Sequence, residues 1–287
     1  MLKQRVITAF ALVAVFLAAL FGLPDPLFAA FTATVVLIGA WEWSNLAGFR
    51  RRRGRFAYVL LMAIFVTFLA IYLNILTFTR DPFKPLITAI SEDRYQQLLV
   101  IGAVFWALAL LWVQGYPSSA ILWGRRPLRA LMGVLVLGPT WVALTYVRAQ
   151  PNGAWLLLLI VAIVALADIG GYFVGRRFGR HKLAPNVSPG KTWEGVAGGV
   201  LANILLSLLL WMFLDVPLWV ILVLVIPTSL VSVLGDLLES MIKRQRGIKD
   251  SSALLPGHGG VLDRVDSLTA AAPIFALALL SLPMSFG

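Results

Sequence analysis

Five of the 13 acidic residues lie in the C-terminal half at positions that could support metal chemistry. Asp236 and Glu239 are three residues apart, Asp263 and Asp266 have the same spacing, and Asp168 stands alone in an apolar run. Side chains three residues apart lie on one face of a helix. Carboxylates on a shared face suit a hard cation such as Mg²⁺, which takes one or two of them and completes its shell with water and phosphate oxygens. These five carboxylates are our candidate catalytic residues.

Basic residues surround these carboxylates in the sequence. Residues 243–250 form a basic segment that is too polar for lipid, and Lys191 lies between a glycine and a threonine at a predicted helix start. Carboxylates among cations are what metal-assisted phosphoryl or nucleotidyl transfer needs, because cations absorb the charge that develops on the leaving group. Residues 190–192 do not form a P-loop, since that motif requires a glycine at position 185, where this chain has proline.

The elements that must position these residues are membrane-spanning helices. Hydrophobic residues make up 60% of the 287 residues and charged residues 13%, against about 45–50% and about 25% in soluble proteins. A soluble fold of this size could not bury so much apolar surface. The composition therefore predicts an all-α, polytopic integral membrane protein. Zero cysteines exclude thiolate catalysis and disulfides, two histidines disfavour a His-rich metal site, and the small soluble surface disfavours nucleic acid as a partner.

Nine apolar segments are long enough to cross a hydrocarbon core about 30 Å thick. Lys and Arg number 20 in one set of alternate loops and 4 in the other, which predicts a cytoplasmic N-terminus and an external C-terminus. Three glycines at 195, 198 and 199 predict close helix packing in the seventh segment. We divide the chain into an N-terminal transmembrane region, 1–150, and a C-terminal catalytic region, 151–287, whose site faces the cytoplasm. The predicted spans are 6–23, 27–46, 56–78, 97–114, 128–147, 154–174, 193–214, 216–235 and 267–282.

Residues 240–266 resemble the signature of the phosphatidate cytidylyltransferase (CDP-diacylglycerol synthase) family, unbroken over 27 residues. Segments at 182–185 and 188–195 also look like this family, so that its motifs cover about 167–266. One departure is Ile169, where the family commonly has a small hydroxyl residue after the aspartate, and we leave Ile169 out of the site. The signature residues are Ser240-Met241-Ile242-Lys243-Arg244, Lys249-Asp250, Pro256-Gly257-His258-Gly259-Gly260 and Asp263-Arg264-Val265-Asp266.

The resemblance implies transfer of the cytidylyl group of CTP to phosphatidic acid, giving CDP-diacylglycerol and pyrophosphate with Mg²⁺ and room for a second cation. The nucleophile would be a phosphate monoester, whose second pKa of about 6 leaves it largely ionised at neutral pH. A strong general base is then unnecessary. Asp236 and Asp263 are expected to ligate the metal, with the other three carboxylates around it. The expected substrate-binding residues are Lys191, Lys243, Arg244, Lys249, His258, Gly259, Gly260 and Arg264.

The substrates imply an entry route and a location. The lipid would enter sideways from the cytoplasmic leaflet and CTP from water, so we expect a cavity between spans six, eight and nine that opens to both. Spans one to five would supply acyl-chain surface and are candidates for a homodimer interface. The family, the compactness and the lack of a targeting segment favour the bacterial inner membrane.

Two other functions compete with this interpretation. A cation or anion transporter would explain an intramembrane carboxylate and nine spans, but not why the polar residues gather at one face. A CTP-using polyprenol or lipid kinase would have a related nucleotide site. The product separates the two enzymes, because a kinase releases CDP and a phosphorylated alcohol, whereas the synthase releases pyrophosphate and a CDP-lipid.

Overall fold

The described chain is a bundle of long apolar helices. The computed structural model describes residues 2–75, 91–255 and 257–282, with side chains from Ile7 onward. Eight of its helices are long and apolar enough to cross a membrane, and Ile7–Gly22 is a shorter apolar helix. The all-helical, polytopic prediction is confirmed. The helices are α1 (Leu2–Gly22), α2 (Asp25–Ala47), α3 (Arg52–Tyr72), α4 (Glu92–Gln114), α5 (Ala120–Trp123), α6 (Arg126–Arg148), α7 (Gly153–Phe178), α8 (Trp193–Phe213), α9 (Leu218–Arg246) and α10 (Leu262–Ser281).

Each predicted span corresponds to one long helix, but the polar ends differ. Helix α9 continues to Arg246, whereas the predicted span stops at 235. The first part of the basic segment is therefore helical. Hydropathy located the apolar part alone, because five of the residues from Asp236 to Arg246 are charged. Pro256 of the signature, and Arg80 and Lys84 of the sparsely basic loops, lie outside the described residues.

Helices α7 and α8 pack closely along a glycine-lined seam. A Cβ atom on Gly198 would collide with the Val174 side chain and with the backbone carbonyl of Gly170, and one on Gly199 would lie 2.6 Å from the carbonyl of Ala167. Small residues let two backbones approach in this way. The close packing predicted from the glycine spacing is confirmed, and it places Asp168 of α7 beside the start of α8.

A β-hairpin joins α7 to α8 in the segment between the sixth and seventh predicted spans. Strands β1 (Lys182–Ala184) and β2 (Ser188–Thr192) pair antiparallel. The Thr192 side chain then caps α8 by accepting a hydrogen bond from the Gly195 N–H at 3.1 Å. Strands of three and five residues are too short for an alternating pattern to stand out. The hairpin matters because β2 carries Lys191 to the site.

Loops that are rich in Lys and Arg lie at one end of the helix bundle and sparsely basic loops at the other, as the charge pattern predicts. Arg129 at the start of α6 and Arg246 at the end of α9 both approach Gly48, which follows α2. At the opposite end, Arg148 of α6 forms a 3.0 Å ion pair with Asp25 at the start of α2. Three of the strongly basic loops therefore meet at one end of the molecule. This end also holds the acidic residues of the site.

Candidate active site

Asp236 on α9 and Lys191 on β2 form the first ion pair of the site. The Lys191 Nζ lies 2.7 Å from Asp236 Oδ2, and the Ser240 hydroxyl, one turn further along α9, donates to Oδ1 at 3.1 Å. Because Asp236 and Ser240 are four residues apart, their side chains lie on the same face of α9. Each carboxylate oxygen has two lone pairs, so Asp236 retains acceptor capacity on both oxygens.

Lys243 joins two further carboxylates. Its Nζ lies 3.2 Å from Glu239 Oε1 within α9 and donates to Asp263 Oδ1 of α10 at 2.8 Å. Glu239 is 2% exposed, and neither of its oxygens accepts a hydrogen bond of good geometry from any described residue. A buried carboxylate without hydrogen-bond donors is rare and calls for a functional or ionic explanation.

Asp263 is held by backbone and side-chain donors at the start of α10. Its Oδ2 accepts hydrogen bonds from the Gly260 N–H at 2.7 Å and from the Ser251 N–H and hydroxyl, both at 3.0 Å. These donors and Lys243 nearly fill its acceptor capacity. Asp263 therefore determines the shape of the loop between α9 and α10.

Asp266 completes the acidic group from the next turn of α10. Its Oδ1 accepts a hydrogen bond from the Ser267 N–H at 2.8 Å, and the negative charges of Asp236 and Glu239 act on it directly. Two acidic residues from each of α9 and α10 thus face one another at the helix interface. Like charges this close repel one another, and a nearby cation offsets that repulsion.

The donor set fits a hard divalent cation that is shared with phosphates. Four acidic residues lie on α9 and α10, with Asp168 nearby, and the only ammonium groups among the described residues that contact them are those of Lys191 and Lys243. Within residues 2–75, 91–255 and 257–282, no three Asp, Glu or His side chains converge as a complete metal site. Mg²⁺ does not require one, since it usually takes one or two carboxylates and keeps positions for water and phosphate oxygens.

Two cavities flank the acidic group. The larger, of about 740 Å³, lies in the loop between α9 and α10 and is lined mainly by polar groups, including those of Lys249, His258 and Arg264. The smaller, of about 500 Å³, lies between α7, α8 and β2 and contains Asp168 and Lys191 in a largely apolar wall. Two sets of contacts lie between them: Lys191 pairs with Asp236 beside the smaller cavity, and Lys243 pairs with Asp263, which binds the glycine loop of the larger one.

Comparison with known proteins decides the family. A family model described as the cytidylyltransferase family matches residues 3–282. A phosphatidate cytidylyltransferase of Pseudomonas aeruginosa is 44% identical over 97% of each chain, and one of Haemophilus influenzae is 41% identical over 96% of this chain and 98% of its own. A third, from Brucella suis, is 43% identical over 63% of this chain and 65% of its own. The chain belongs to the phosphatidate cytidylyltransferase family.

The predicted substrate-binding residues fall into three groups, according to whether they line the larger cavity, the smaller cavity or neither. Lys249, His258, Gly259 and Arg264 line the larger cavity, and the Nδ1 of His258 is buried without a hydrogen-bond partner among the described residues. Lys191 lines the smaller cavity. Lys243, Arg244 and Gly260 line neither of the two.

Two basic residues of the signature have structural contacts that the sequence did not reveal. Arg244 is exposed, and its Nε donates to the carbonyl of Val187 at 3.2 Å, which ties α9 to the hairpin. The Nε of Arg264 donates to the carbonyl of His258 at 3.1 Å and braces the loop that it helps to line. The Ile169 side chain is 52% exposed on α7 and lines neither of the two cavities.

Neither of the two cavities lies between spans six, eight and nine, where we expected the cavity for both substrates. The cavity nearest that description lies between spans six, seven and eight, because the glycine seam draws α8 against α7 and β2 covers one side. From α9 only Val233 reaches its lining, and no residue of α10 does so. The second cavity belongs to a loop whose folding depends on contacts from distant residues.

Glu42 on α2 is the residue that the sequence analysis missed. It is 0% exposed and accepts hydrogen bonds from the backbone N–H groups of Val261 and Leu262, next to the predicted site. The sequence did contain an indication of this contact. Glu42 lies between two tryptophans in an apolar span, and a carboxylate there is costly in lipid unless it has a functional or structural partner. The same argument identified Asp168.

Proposed function

We propose that this enzyme of CDP-diacylglycerol synthesis binds CTP in the larger cavity and the phosphate of phosphatidic acid in the smaller one, with the carboxylates between them. The observation that carries the proposal is a path of two ion pairs, Lys191–Asp236 and Lys243–Asp263, whose middle members Asp236 and Lys243 both belong to α9. A group that passes from one substrate to the other must cross a region in contact with both cavities. This path supplies that region.

The larger cavity suits a nucleoside triphosphate. Lys249 and Arg264 provide positive charge, and the glycine loop exposes backbone near the position where phosphates would lie. Gly259 has a φ of +81°, and a Cβ there would come within 2.7 Å of Asp263 Oδ2. Only glycine fits that conformation beside a carboxylate without strain. His258 offers a buried ring nitrogen with free hydrogen-bonding capacity for the nucleotide.

The smaller cavity suits a lipid headgroup. Its wall is mostly apolar and comes from two membrane-spanning helices, while Lys191 provides a cation at its polar end. A phosphate monoester bound there would approach Lys191 in competition with Asp236. No general base is needed, since the monoester is largely a dianion at neutral pH. Lys191 then orients the nucleophilic oxygen and offsets its repulsion from the triphosphate.

We assign the Mg²⁺ ligands to Asp236 and Asp263, with Asp168, Glu239 and Asp266 around the ion and room for a second cation. When bound, the metal supplies positive charge that neutralises the triphosphate and the departing pyrophosphate. Asp236 has acceptor capacity available, whereas a cation on Asp263 competes with Lys243 for Oδ1. The ammonium of Lys243 remains close to Glu239 in either case, and it can then also contact phosphate.

The location belongs to the same proposal. The basic loops and the site share one end of the bundle, which supports a site at the cytoplasmic face of a bacterial inner membrane. Residues 151–287 carry the catalytic groups, and residues 1–150 support them and provide a surface for lipid and for a homodimer.

Position-specific labelling of CTP tests the reaction. Purified protein in detergent receives phosphatidic acid, Mg²⁺ and CTP labelled at the α- or the γ-phosphate. We expect the α label in the lipid and the γ label in pyrophosphate. A γ label in a lipid alcohol would indicate the kinase instead, and movement of neither label under any metal would favour the transporter.

Replacing Asp263 tests the assignment of the site. Asp263→Asn should lower turnover by about 10²–10³-fold, because it removes a charge that acts on both the metal and Lys243. Asp215→Asn, in the loop at the opposite end of the bundle, is the matched control and should retain full activity. Near-normal turnover in Asp263→Asn, with an unchanged melting temperature, would refute the assignment.

A further inference from the structure

Glu42 is a buried carboxylate whose hydrogen bonds come from one distant segment, residues 251–262, while the charge of Arg55 on α3 also acts on it. Its Oε2 accepts the Leu262 N–H at 2.6 Å, and its Oε1 accepts the Val261 N–H at 3.0 Å and the Ser252 hydroxyl at 2.5 Å. These partners lie 210–220 residues away in the chain. A charge is expensive to bury unless it is hydrogen-bonded, and here the donors come from the start of α10 and from the loop before it.

The carboxylate of Glu42 caps α10 from another helix. Val261 precedes the helix in a helical conformation, with no side-chain cap of its own. The free N–H groups and the positive end of the helix dipole favour an anion at this position. Glu42 supplies that anion and satisfies two of the free donors. The position of α2 therefore determines where α10 begins.

Ser251 connects this cap to the catalytic aspartate. Its hydroxyl donates to Asp263 Oδ2 at 3.0 Å and lies 3.4 Å from Glu42 Oε2, and the residue is fully buried. Asn45, one turn after Glu42 on α2, donates to the Ser251 carbonyl at 3.1 Å. A Cβ atom on Gly260 would collide with both the Ser251 hydroxyl and Glu42. The two carboxylates thus share a single close-packed polar network.

We propose that Glu42 is a positioning residue for cytidylyl transfer, which holds the start of α10 and residues 251–260 so that Asp263 meets Lys243 beside the nucleotide cavity. The inference rests on the proposed role of Asp263 and adds a contribution from the N-terminal region to the site. Glu42 acts through this loop and touches no substrate.

A positioning role and a purely structural role predict different kinetics. If Glu42 only stabilised the fold, its loss would lower the melting temperature and the active fraction, and both Michaelis constants would stay unchanged. If it positions the loop that lines the nucleotide cavity, the KM for CTP and the Mg²⁺ requirement should rise while the KM for phosphatidic acid stays the same. The phosphatidic acid cavity has no residue from this loop.

The test variant is Glu42→Gln, which keeps the size of the side chain and removes its charge and one acceptor. We expect kcat to fall about ten- to one-hundred-fold and the KM for CTP to rise several-fold, since hydrogen bonds to charged groups are among the stronger ones. Hydrogen exchange of the amides in residues 250–262, which needs no substrate or metal, should become at least about tenfold faster. Thr32→Val, which removes a buried hydroxyl elsewhere on α2, is the matched control and should change neither.

Each outcome has a definite meaning. Unchanged hydrogen exchange, or a fall in kcat with both Michaelis constants unchanged, would overturn the positioning role. Normal kinetics in Glu42→Gln beside an inactive Asp263→Asn would overturn it too and leave the proposed function intact, whereas full activity in Asp263→Asn would refute the proposed function itself. If Glu42→Gln does not fold, Glu42→Asp, which keeps the charge but shortens the reach by one methylene, should show the same pattern with smaller changes.

Discussion

At the scale of single residues, two lysines set the electrostatics of the site. Lys191 neutralises Asp236 from the hairpin side, and Lys243 neutralises Glu239 and Asp263 from within α9. Lysine carries a compact charge with three donors. One ammonium group can therefore hold a carboxylate and turn towards a phosphate when substrate arrives. The excess of acidic residues over these two ammonium groups is what a bound divalent cation would offset.

Lys191→Met should lower kcat/KM for phosphatidic acid by about 10²-fold, because it removes the cation that the lipid phosphate would contact. The KM for CTP should change less, since Lys191 does not line the nucleotide cavity. Steady-state kinetics in mixed micelles would measure both constants. The control is Lys182→Met, an exposed lysine on the other strand of the same hairpin. Equal losses in the two variants would indicate a general charge effect in place of a specific contact.

At the scale of elements, the α7–α8 seam and the hairpin act together. The glycines of the seam bring Asp168 of α7 close to the hairpin strand that carries Lys191, and Thr192 begins α8 immediately afterwards. A shift of either helix would therefore change the distance between a carboxylate and a lysine of the same cavity. Helix packing and the geometry of the site are coupled here.

Gly198→Ala tests this coupling. The added Cβ would collide with the Val174 side chain and the Gly170 carbonyl, and overpacking of this kind costs about 1–3 kcal/mol. We expect a lower melting temperature and a reduced rate in the same variant. Gly22→Ala, at a position with open space around it, should leave both unchanged. A normal rate with a lowered melting temperature would show that packing at the α7–α8 seam does not control the geometry of the site.

At the scale of the whole molecule, the distribution of Lys and Arg predicts which end of the bundle faces the cytoplasm. The strongly basic loops around Gly48, Arg129 and Arg246 meet at the end of the bundle that carries the site. The excess of Lys and Arg predicts that this end faces the cytoplasm. CTP would then reach the site from the compartment on that side, and phosphatidic acid from the adjoining leaflet.

The absence of cysteine from the sequence allows a direct test of this orientation. A single cysteine at Asp215, exposed between α8 and α9, should react with a membrane-impermeant maleimide added to intact spheroplasts. A cysteine at Ser118, exposed between α4 and α6, should react only after the membrane is opened. The reverse pattern would invert the topology and place the site outside.

Local sequence was enough to determine the class of the protein and its apolar spans, and to predict candidate site residues. Apolar length and loop charge depend on short segments, since a helix in lipid must satisfy its backbone internally. The carboxylate pairs at 236/239 and 263/266 could be assigned to helix faces because the helical repeat is local. The seam glycines were predictable for the same reason.

The tertiary structure alone decided which charges meet and where the cavities lie. Local spacing could not pair Lys191 with Asp236 or Lys243 with Asp263, because these partners belong to different elements. It also could not reveal that Glu42 caps a helix 220 residues away. In a buried polar network every donor and acceptor needs a partner, and those partners are assigned by the packing of whole helices.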